Sequence, residues 1–344
     1  MPTSPESVRE IRLAALPDGL PKPEHFTIAS TPPPVPGDGD VLVRNRFFHV
    51  FPALRMLLGE GVPGAPFPPL RPGDVVFGAA IGEVVSAPPG TGLQPGDLVR
   101  HFLGWREYAA VPAGQCTPVD DVLPDPVAHL GSAAIAYTAL TRDAPVRRGD
   151  TVFVTGGAGG VGSMAGQIAR LLGAGRVVGS TGSPAKAERL IAELGYDAAV
   201  IRGAGPDAKP IAEQLAEAAP DGIDVLVDNV GGEQLQSAIG AARTGARFVI
   251  VGALAGQMAP GLSGTTAPVE IDTFQLITKR IGMRGFGGLD GGQERPSWAE
   301  RVGGWLRSGE LTFPHVRVAG IERAPRALQE VIDGRHLGTV VVEL

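Results

Sequence analysis

A chain of 344 residues suggests two domains or one large one, its 43% hydrophobic content is enough for a substantial core, and a net charge of −6 argues against a nucleic acid or an anionic membrane surface as partner. No stretch of about 18 apolar residues spans a bilayer, and residues 1–10 lack a basic region followed by an apolar one, so the cytoplasm is the expected compartment. The lone Cys116 excludes an intramolecular disulfide and a structural zinc site, so no metal is expected.

Residues 1–127 carry mostly short β signals. Residues 41–48 alternate apolar with polar, and 75–77 and 81–86 are short apolar runs. Three turns share one pattern: Gly73-Asp74, Gly96-Asp97 and Gly149-Asp150 each stand just before a strand. Glycine there supplies an unusual φ, and aspartate bonds nearby backbone N–H groups. Proline-rich segments at 32–36 and 63–72 read as loops. The second is long enough either to border a pocket or to cross the surface.

From about 128 the pattern changes. An Ala-rich helix is expected over 127–141. The densest signal follows at 151–172. An apolar run at 152–154 reads as a buried strand, and Gly157, Gly159 and Gly162 fall in G-x-G-x-x-G spacing. Val161, Met164, Ala165, Ile168, Ala169 and Leu172 then share one helical face. Strand, glycine turn and helix in that order lift the spacing above a chance match. Gly157 is expected to permit the tight turn, Gly159 to let N–H groups approach a pyrophosphate, and Gly162 to let helix pack on strand. The pyrophosphate takes the positive end of the helix dipole.

Further strands are expected at 176–180, 197–201, 223–228, 247–252 and 281–285. Helices are expected at 184–194, 210–219, 232–242 and 271–278. Alternating units of this length specify a parallel doubly wound sheet. A last helix at 298–308 and strands at 316–319 and 340–344 return to the first domain. The chain is thus α/β: a β-rich domain of residues 1–127 plus 286–344, interrupted by a dinucleotide-binding domain of residues 128–285.

The usual NAD marker is an acid about 20 residues past the glycine turn. Here that place reads Gly179-Ser-Thr-Gly-Ser-Pro-Ala-Lys186, with no acid. Ser180, Thr181 and Ser183 offer hydroxyls, and Lys186 and Arg189 offer charge. A 2′-phosphate needs such donors, so NADP(H) is favoured. The plain alternative for Lys186 is a solvated lysine, although its first-turn position opposes the helix dipole.

Gly104-Trp-Arg-Glu-Tyr108, Gly159-Gly-Val-Gly-Ser163, Leu194-Gly-Tyr-Asp-Ala-Ala199, Asp228-Asn-Val-Gly-Gly232, Lys279-Arg-Ile281 and Gly320-Ile-Glu-Arg-Ala-Pro-Arg-Ala327 occur in this order. Together they resemble the zinc-independent branch of the medium-chain dehydrogenase/reductase superfamily, with its prostaglandin/leukotriene, alkenal double-bond and curcumin-type reductases. The resemblance implies a GroES-like β-rich catalytic domain around a Rossmann domain, NADPH as cofactor, a homodimer, and reduction of an α,β-unsaturated ketone or aldehyde. It places the pyrophosphate turn at Gly157, Ala158, Gly159, Gly160, Val161 and Gly162. The 2′-phosphate falls to Ser183 and Lys186, with Arg202 where the family has a tyrosine. Arginine grips a phosphate bidentately, though a solvent-facing loop arginine is the plain alternative. Asn229 begins a turn that contacts the cofactor in the family, its alternative being local turn capping. Val251, Gly252, Ala253, Leu254 and Gln257 line the nicotinamide from one side, and Phe286, Gly287 and Gly288 from the other.

Three positions depart from the family. Its tyrosine after the fifth strand is Gln257 here. An N-terminal Asp-Pro-Tyr-Met-Arg becomes Phe51-Pro-Ala-Leu-Arg55, leaving Phe51, Leu54 and Arg55 as candidate pocket residues. A C-terminal asparagine near the nicotinamide becomes His336. Hydride addition to an enone builds charge on the carbonyl oxygen, which needs a hydrogen-bond donor, and then a proton at the α-carbon. Gln257, His336 and His49 are the candidate donors, beside the ribose 2′-hydroxyl of bound NADPH itself, and a histidine is more often a packed or solvated residue than a donor. A quinone reductase, a pathway-specific enoyl reductase and a non-catalytic NADPH-binding protein are the competing readings.

Overall fold

A computed structural model describes residues 5–59, 61–62, 67–203, 208–259, 264–286 and 295–344, with side chains from 298 onward in the last segment. The chain divides into two compact units, Met1–Leu130 with Val316–Arg335 and Val340–Leu344, and Gly131–His315 with His336–Thr339.

In the first unit β1 (Val8–Leu13) and β2 (Phe26–Thr31) form an antiparallel pair. The long β3 (Asp40–Val50) pairs antiparallel with β4 (Ala80–Ser86) and with β6 (Tyr108–Pro112), while β5 (Leu98–His101) joins β4 to β7 (Thr117–Pro118). An irregularity in the β3–β4 register between Asn45 and Phe47 lets β3 serve two cores. Side chains alternate along a strand, so one extra residue exchanges the faces. Val41 and Val43 pack with Val84, Val99 and Val111, whereas Phe48 and Val50 join Ile11, Leu13, Leu54 and Trp105. Trp105, fully buried between Phe26 and Phe48, is a core residue. Residues 75–77 contribute only an isolated bridge at Val75 to Arg12, where the sequence reads a short strand.

The second unit holds β8 (Thr151–Val154), β9 (Arg176–Thr181), β10 (Ala198–Ile201), β11 (Ile223–Asp228), β12 (Ala242–Ile250) and β13 (Gly282–Gly285). They form one parallel sheet in the order β10-β9-β8-β11-β12-β13. This is the doubly wound order with its switch point between β8 and β11. Its helices are α1 (Ser132–Thr138), α2 (Gly160–Leu171), α3 (Pro184–Leu194), α4 (Ile211–Ala218), α5 (Gly232–Ala241), α6 (Leu254–Gln257), α7 (Thr273–Lys279) and α8 (Arg295–Ser308). Phe153, Val178, Val200, Leu226 and Phe248 from five strands pack with Ile211 and Leu215 of α4 and Leu235 and Ile239 of α5. Tyr137 of α1 packs on Trp305 of α8, ring centroids 6.2 Å apart.

The chain returns through β14 (His315–Ala319), α9 (Ala324–Ile332) and β15 (Thr339–Glu343), with β15 antiparallel to β3. Two boundaries differ from expectation. Residues 295–315 and 336–339 belong to the second unit, because α8 packs on α1 and Thr312 bonds Gln167 of α2. The expected helix at 127–141 is three pieces: a 3-10 turn (Pro126–Leu130), α1, and a π turn (Ala139–Asp143), broken at the left-handed Gly131. Helix α9 was not expected, although Ala324, Ala327, Leu328, Val331 and Ile332 lie at helical spacing and pack in the first unit's core.

The three Gly-Asp turns match their sequence pattern. Each glycine is left-handed, and each aspartate Oδ2 accepts the N–H three residues back, from Arg71, Gln94 and Arg147, at 2.7, 2.7 and 2.6 Å.

A buried polar network fixes the far end of β5. His101 accepts the Leu103 N–H on Nδ1 at 3.0 Å, so Nε2 carries the proton and donates to Asn45 Oδ1 at 2.8 Å. Asn45 Nδ2 donates to the Leu103 and Arg106 carbonyls. Burial, and secondly Arg106, hold the imidazole at about 4 against an ordinary 6.5. Above pH 6.5 the ring is neutral folded and unfolded, and it adds no pH dependence. Between 6.5 and 4 the unfolded chain takes up a proton that the folded chain refuses, so stability falls with pH, by about 3 kcal/mol at ~1.4 kcal/mol per unit. The urea midpoint should therefore drop from pH 7 to pH 4.5 more steeply in the native chain than in His101→Gln.

Candidate cofactor site

The carboxyl ends of the parallel strands carry the candidate site. After β8 the chain turns sharply at Gly156, whose φ of 63° is left-handed. The glycine expected to permit the tight turn was Gly157, one residue later. Gly157 instead packs tightly, an added Cβ lying 3.2 Å from Leu190 and 3.3 Å from the Tyr196 hydroxyl. The turn is pinned to β9: Gly156 N–H donates to Ser180 Oγ (2.9 Å), Gly157 N–H to the Ser180 carbonyl (2.7 Å), and Ser180 Oγ to Gln234 Oε1. Gly162 has the expected close approach, for a Cβ would stand 2.2 Å from the Gly156 carbonyl oxygen. Gly160 is constrained from elsewhere, its Cβ position being 2.8 Å from Ser132 Oγ and 3.0 Å from Thr339 Oγ1. The first helical bond of α2 is Ser163 N–H to Gly159 (2.9 Å). The N–H groups of Gly160, Val161 and Gly162 precede it, where a helix offers no carbonyl one turn back, and they suit an anion.

The neighbouring turns are locked to this one. Asp228, fully buried at the end of β11, accepts from Thr155 Oγ1 at 2.6 Å and from the N–H groups of Val230 and Gly231. Asn229 donates its backbone N–H to Thr155 Oγ1 and its side-chain amide to the Thr155 carbonyl, both at 2.8 Å. Its carbonyl accepts from Leu254, and the Asp228 carbonyl accepts from Val251 and Gly252. Asn229 thus ties the turn after β11 to the turns after β8 and β12. Val251, Gly252, Ala253 and Leu254 follow β12, with Gln257 closing α6. Phe286 follows β13 with its N–H on the Ile250 carbonyl. Gly287 and Gly288 lie outside the described residues.

At the other end Ser183 caps α3 in an extended conformation with no side-chain capping bond. The guanidinium of the exposed Arg202 lies over Gly182, Nη2 standing 3.6 Å from the place of a Cβ. The half-buried Lys186 donates from Nζ to the His336 carbonyl at 2.6 Å. Burial, and then Arg189, depress its pKa. Ser183, Lys186 and Arg202 thus gather around the turn after β9, and that turn carries no acid.

The Lys186 contact fixes the His336 backbone. The segment His336–Thr339 runs along the glycine turn as a strap. Gly338 N–H donates to the Ala158 carbonyl (2.9 Å), and Gly338 bridges Gly159. Thr339 N–H donates to the Pro314 carbonyl (3.0 Å), and Thr339 Oγ1 meets Ser132 Oγ at 3.0 Å. Gly338 is left-handed, and a Cβ there would lie 2.0 Å from the Pro314 oxygen. His336 thus stands with its backbone carbonyl on the Lys186 ammonium.

The remaining candidates belong to the first unit. Leu54 and Arg55 are 0% and 2% exposed in a 3-10 turn (Pro52–Leu57), so neither offers a surface to a ligand, contrary to expectation. Leu54 is spent on the core with Leu57 and Trp105. Phe51 is half-buried against that core, 5.5 Å from the His49 ring, and burial holds His49 at about 4. Among the described residues no three His, Cys, Asp or Glu stand together as metal ligands. Burial, then Asp40, pushes the Cys116 thiol up to about 11. No described helix is long and apolar enough to cross a membrane.

A doubly wound sheet with a glycine turn at its switch point and a second, β-rich unit defines a dinucleotide-dependent oxidoreductase. Residues 9–119 match the family described as the N-terminal domain of oxidoreductase, and residues 160–302 the one described as zinc-binding dehydrogenase. Mouse prostaglandin reductase 1 is 30% identical over 340 residues, covering 95% of this chain and 96% of its own. The NADPH-dependent curcumin reductase of Escherichia coli is 28% identical, covering 96% and 95%. The crystal structure of CurA from Vibrio vulnificus in complex with NADPH gives a TM-score of 0.85 at 29% identity, covering 97% and 98%. The chain belongs to the medium-chain dehydrogenase/reductase family, in its zinc-independent branch.

The clash found at Gly162 generates a test. Gly162→Ala should lower the thermal midpoint by several degrees, whereas Gly240→Ala, with nothing within 4 Å of its Cβ position, should not. Differential scanning calorimetry of the two variants measures this.

Proposed function

We propose that this protein catalyses the NADPH-dependent reduction of the C=C bond of an α,β-unsaturated ketone or aldehyde. The observation that carries the cofactor half is the acid-free turn after β9, ringed by Ser183, Lys186 and Arg202. A ribose hydroxyl calls for a carboxylate there and a 2′-phosphate for cations. The reductases named above support the substrate half. Bound NADPH supplies a hydride to the β-carbon of the enone. The chain's task is then to hold the pyrophosphate on the Gly160–Gly162 amides and to meet charge on the carbonyl oxygen. Gln257, at the end of α6 on the β12 side, is the donor we assign to that oxygen, as a neutral amide. His336, whose backbone carbonyl is held by Lys186, is assigned no part in the proton step. His49, uncharged at neutral pH, offers a hydrogen bond and not an imidazolium proton.

The protein acts on this reading as a homodimer. Among the described residues strand β13 ends the sheet, and α7, just before it in the chain, turns Phe274 and Ile277 outward, 74% and 70% exposed. Spaced three apart, they share one helical face, and an open strand edge beside an apolar face suits a second copy.

Anaerobic NADPH oxidation against enones, quinones and enoyl thioesters, with product analysis, tests the activity. Turnover of enones to saturated ketones is expected. Turnover of quinones alone would favour a quinone reductase, and tight binding with no turnover would end the enzymatic reading. Arg202→Ala should weaken NADPH at least tenfold by fluorescence titration and leave NADH unchanged. Gln257→Leu should lower kcat for enones by about 10²-fold with NADPH affinity intact. Phe274→Glu with Ile277→Glu should convert a dimer to a monomer by light scattering.

A further inference from the structure

We infer that Lys186 is a positioning residue which couples the 2′-phosphate end of the cofactor to the pyrophosphate turn, through the strap His336–Thr339. This rests on the NADPH reading above and adds a path inside the site. Two observations meet at this lysine. It lies in the first turn of α3, just past the acid-free turn that Ser183 caps and Arg202 overlies, and its ammonium holds the His336 carbonyl at 2.6 Å. An ammonium has three donors in tetrahedral array, so it can hold a carbonyl and a phosphate oxygen together.

The strap lies against the element that every dinucleotide uses. Two residues beyond His336, Gly338 donates to the Ala158 carbonyl and bridges Gly159, inside the glycine turn. Its other end is held at Thr339 by Pro314 and Ser132. A Cβ at Gly338 would strike the Pro314 carbonyl, so the strap takes this seat only with glycine there. Lys186 clamps the entrance of that seat, and Ala158 and Gly159 share its floor.

The sign of the coupling follows from geometry. The Lys186 ammonium already donates to the His336 carbonyl at 2.6 Å. A 2′-phosphate oxygen on a second of its donors fixes the side chain in that place, and both bonds are charge-assisted. The 2′-phosphate therefore tightens the strap, and the strap braces the turn beneath the pyrophosphate. By linkage, whatever orders the strap also favours the 2′-phosphate. Among the described residues Arg202 has no such link, for its guanidinium lies over Gly182 and its backbone N–H is bonded to Thr181. The two cations then differ in kind: Arg202 reads the phosphate, and Lys186 reads it and transmits it.

Amide hydrogen exchange on the full chain, followed in peptides covering 336–339, tests this with adenosine 2′-monophosphate, which carries no pyrophosphate. In the native chain the ligand should slow strap exchange several-fold. In Lys186→Met the strap should exchange about tenfold faster without ligand and gain no protection from it, while peptides of α5 stay unchanged as a control of folding. Lys186→Met should also weaken NADH about fivefold, which Arg202→Met should not. Equal strap exchange in Lys186→Met and the native chain, or unaltered NADH affinity, would overturn the coupling. Failure of the native chain to bind NADPH would instead overturn the cofactor reading, and this inference with it.

Discussion

Everything at the cofactor end of the second unit depends on how closely helix α2 can approach the turn and strands beside it. Three glycines set that distance. Side chains at 162, 166 and 179 would strike the Gly156 carbonyl and the ring of Tyr196 at 2.2 to 2.6 Å. Tyr196 fills the space these glycines leave and donates its hydroxyl to the Gly162 carbonyl at 2.7 Å. Its burial drives the phenol's pKa far upward, so it stays a neutral donor. Helix, turn and strand are packed around one aromatic ring, and the open amides of α2 are thereby held at a fixed height above the sheet.

From that height the polar lattice follows. Thr155, Asp228 and Asn229 join the ends of β8 and β11, and the Asp228 and Asn229 carbonyls carry the link to β12. Ser180 and Gln234 carry it to β9. None of these bonds is on offer to a ligand. They convert strand ends, which in isolation would fray, into one rigid rim. A preorganised rim needs no reorganisation when charge arrives, and this is what makes hydrogen-bond donors effective in a site.

The legible part of this molecule was the part written in local periodicity. The order of strands and helices from 151 to 285 could be read because each element has its own hydrophobic period, and the glycine spacing because turn and helix are contiguous. The acid-free stretch from Gly179 to Lys186 pointed to the cations for the same reason. What escaped depends on residues far apart in the chain. Gly338 was seen only as a neighbour of a substituted asparagine, since nothing near it mentions Ala158 or Pro314. Gly156 was passed over for Gly157 because motif spacing does not reveal which peptide unit inverts. Leu54 and Arg55 looked available in a motif, yet burial is set by Trp105 and Leu57 packing around them. Helix α9 was legible from its apolar spacing and was missed among the strand signals around it.

The strap also bears on how the protein comes to be made. Both units recruit residues from the far end of the chain: the first takes α9 and most of β15, the second takes His336–Thr339. A ribosome therefore emits the glycine turn, and nearly all of the parallel sheet, long before the segment that lies along that turn. During synthesis the sheet can assemble in sequence order while the turn still lacks its cover. The glycine turn gains its cover only when the last residues of the chain pass Gly159 on their way to β3.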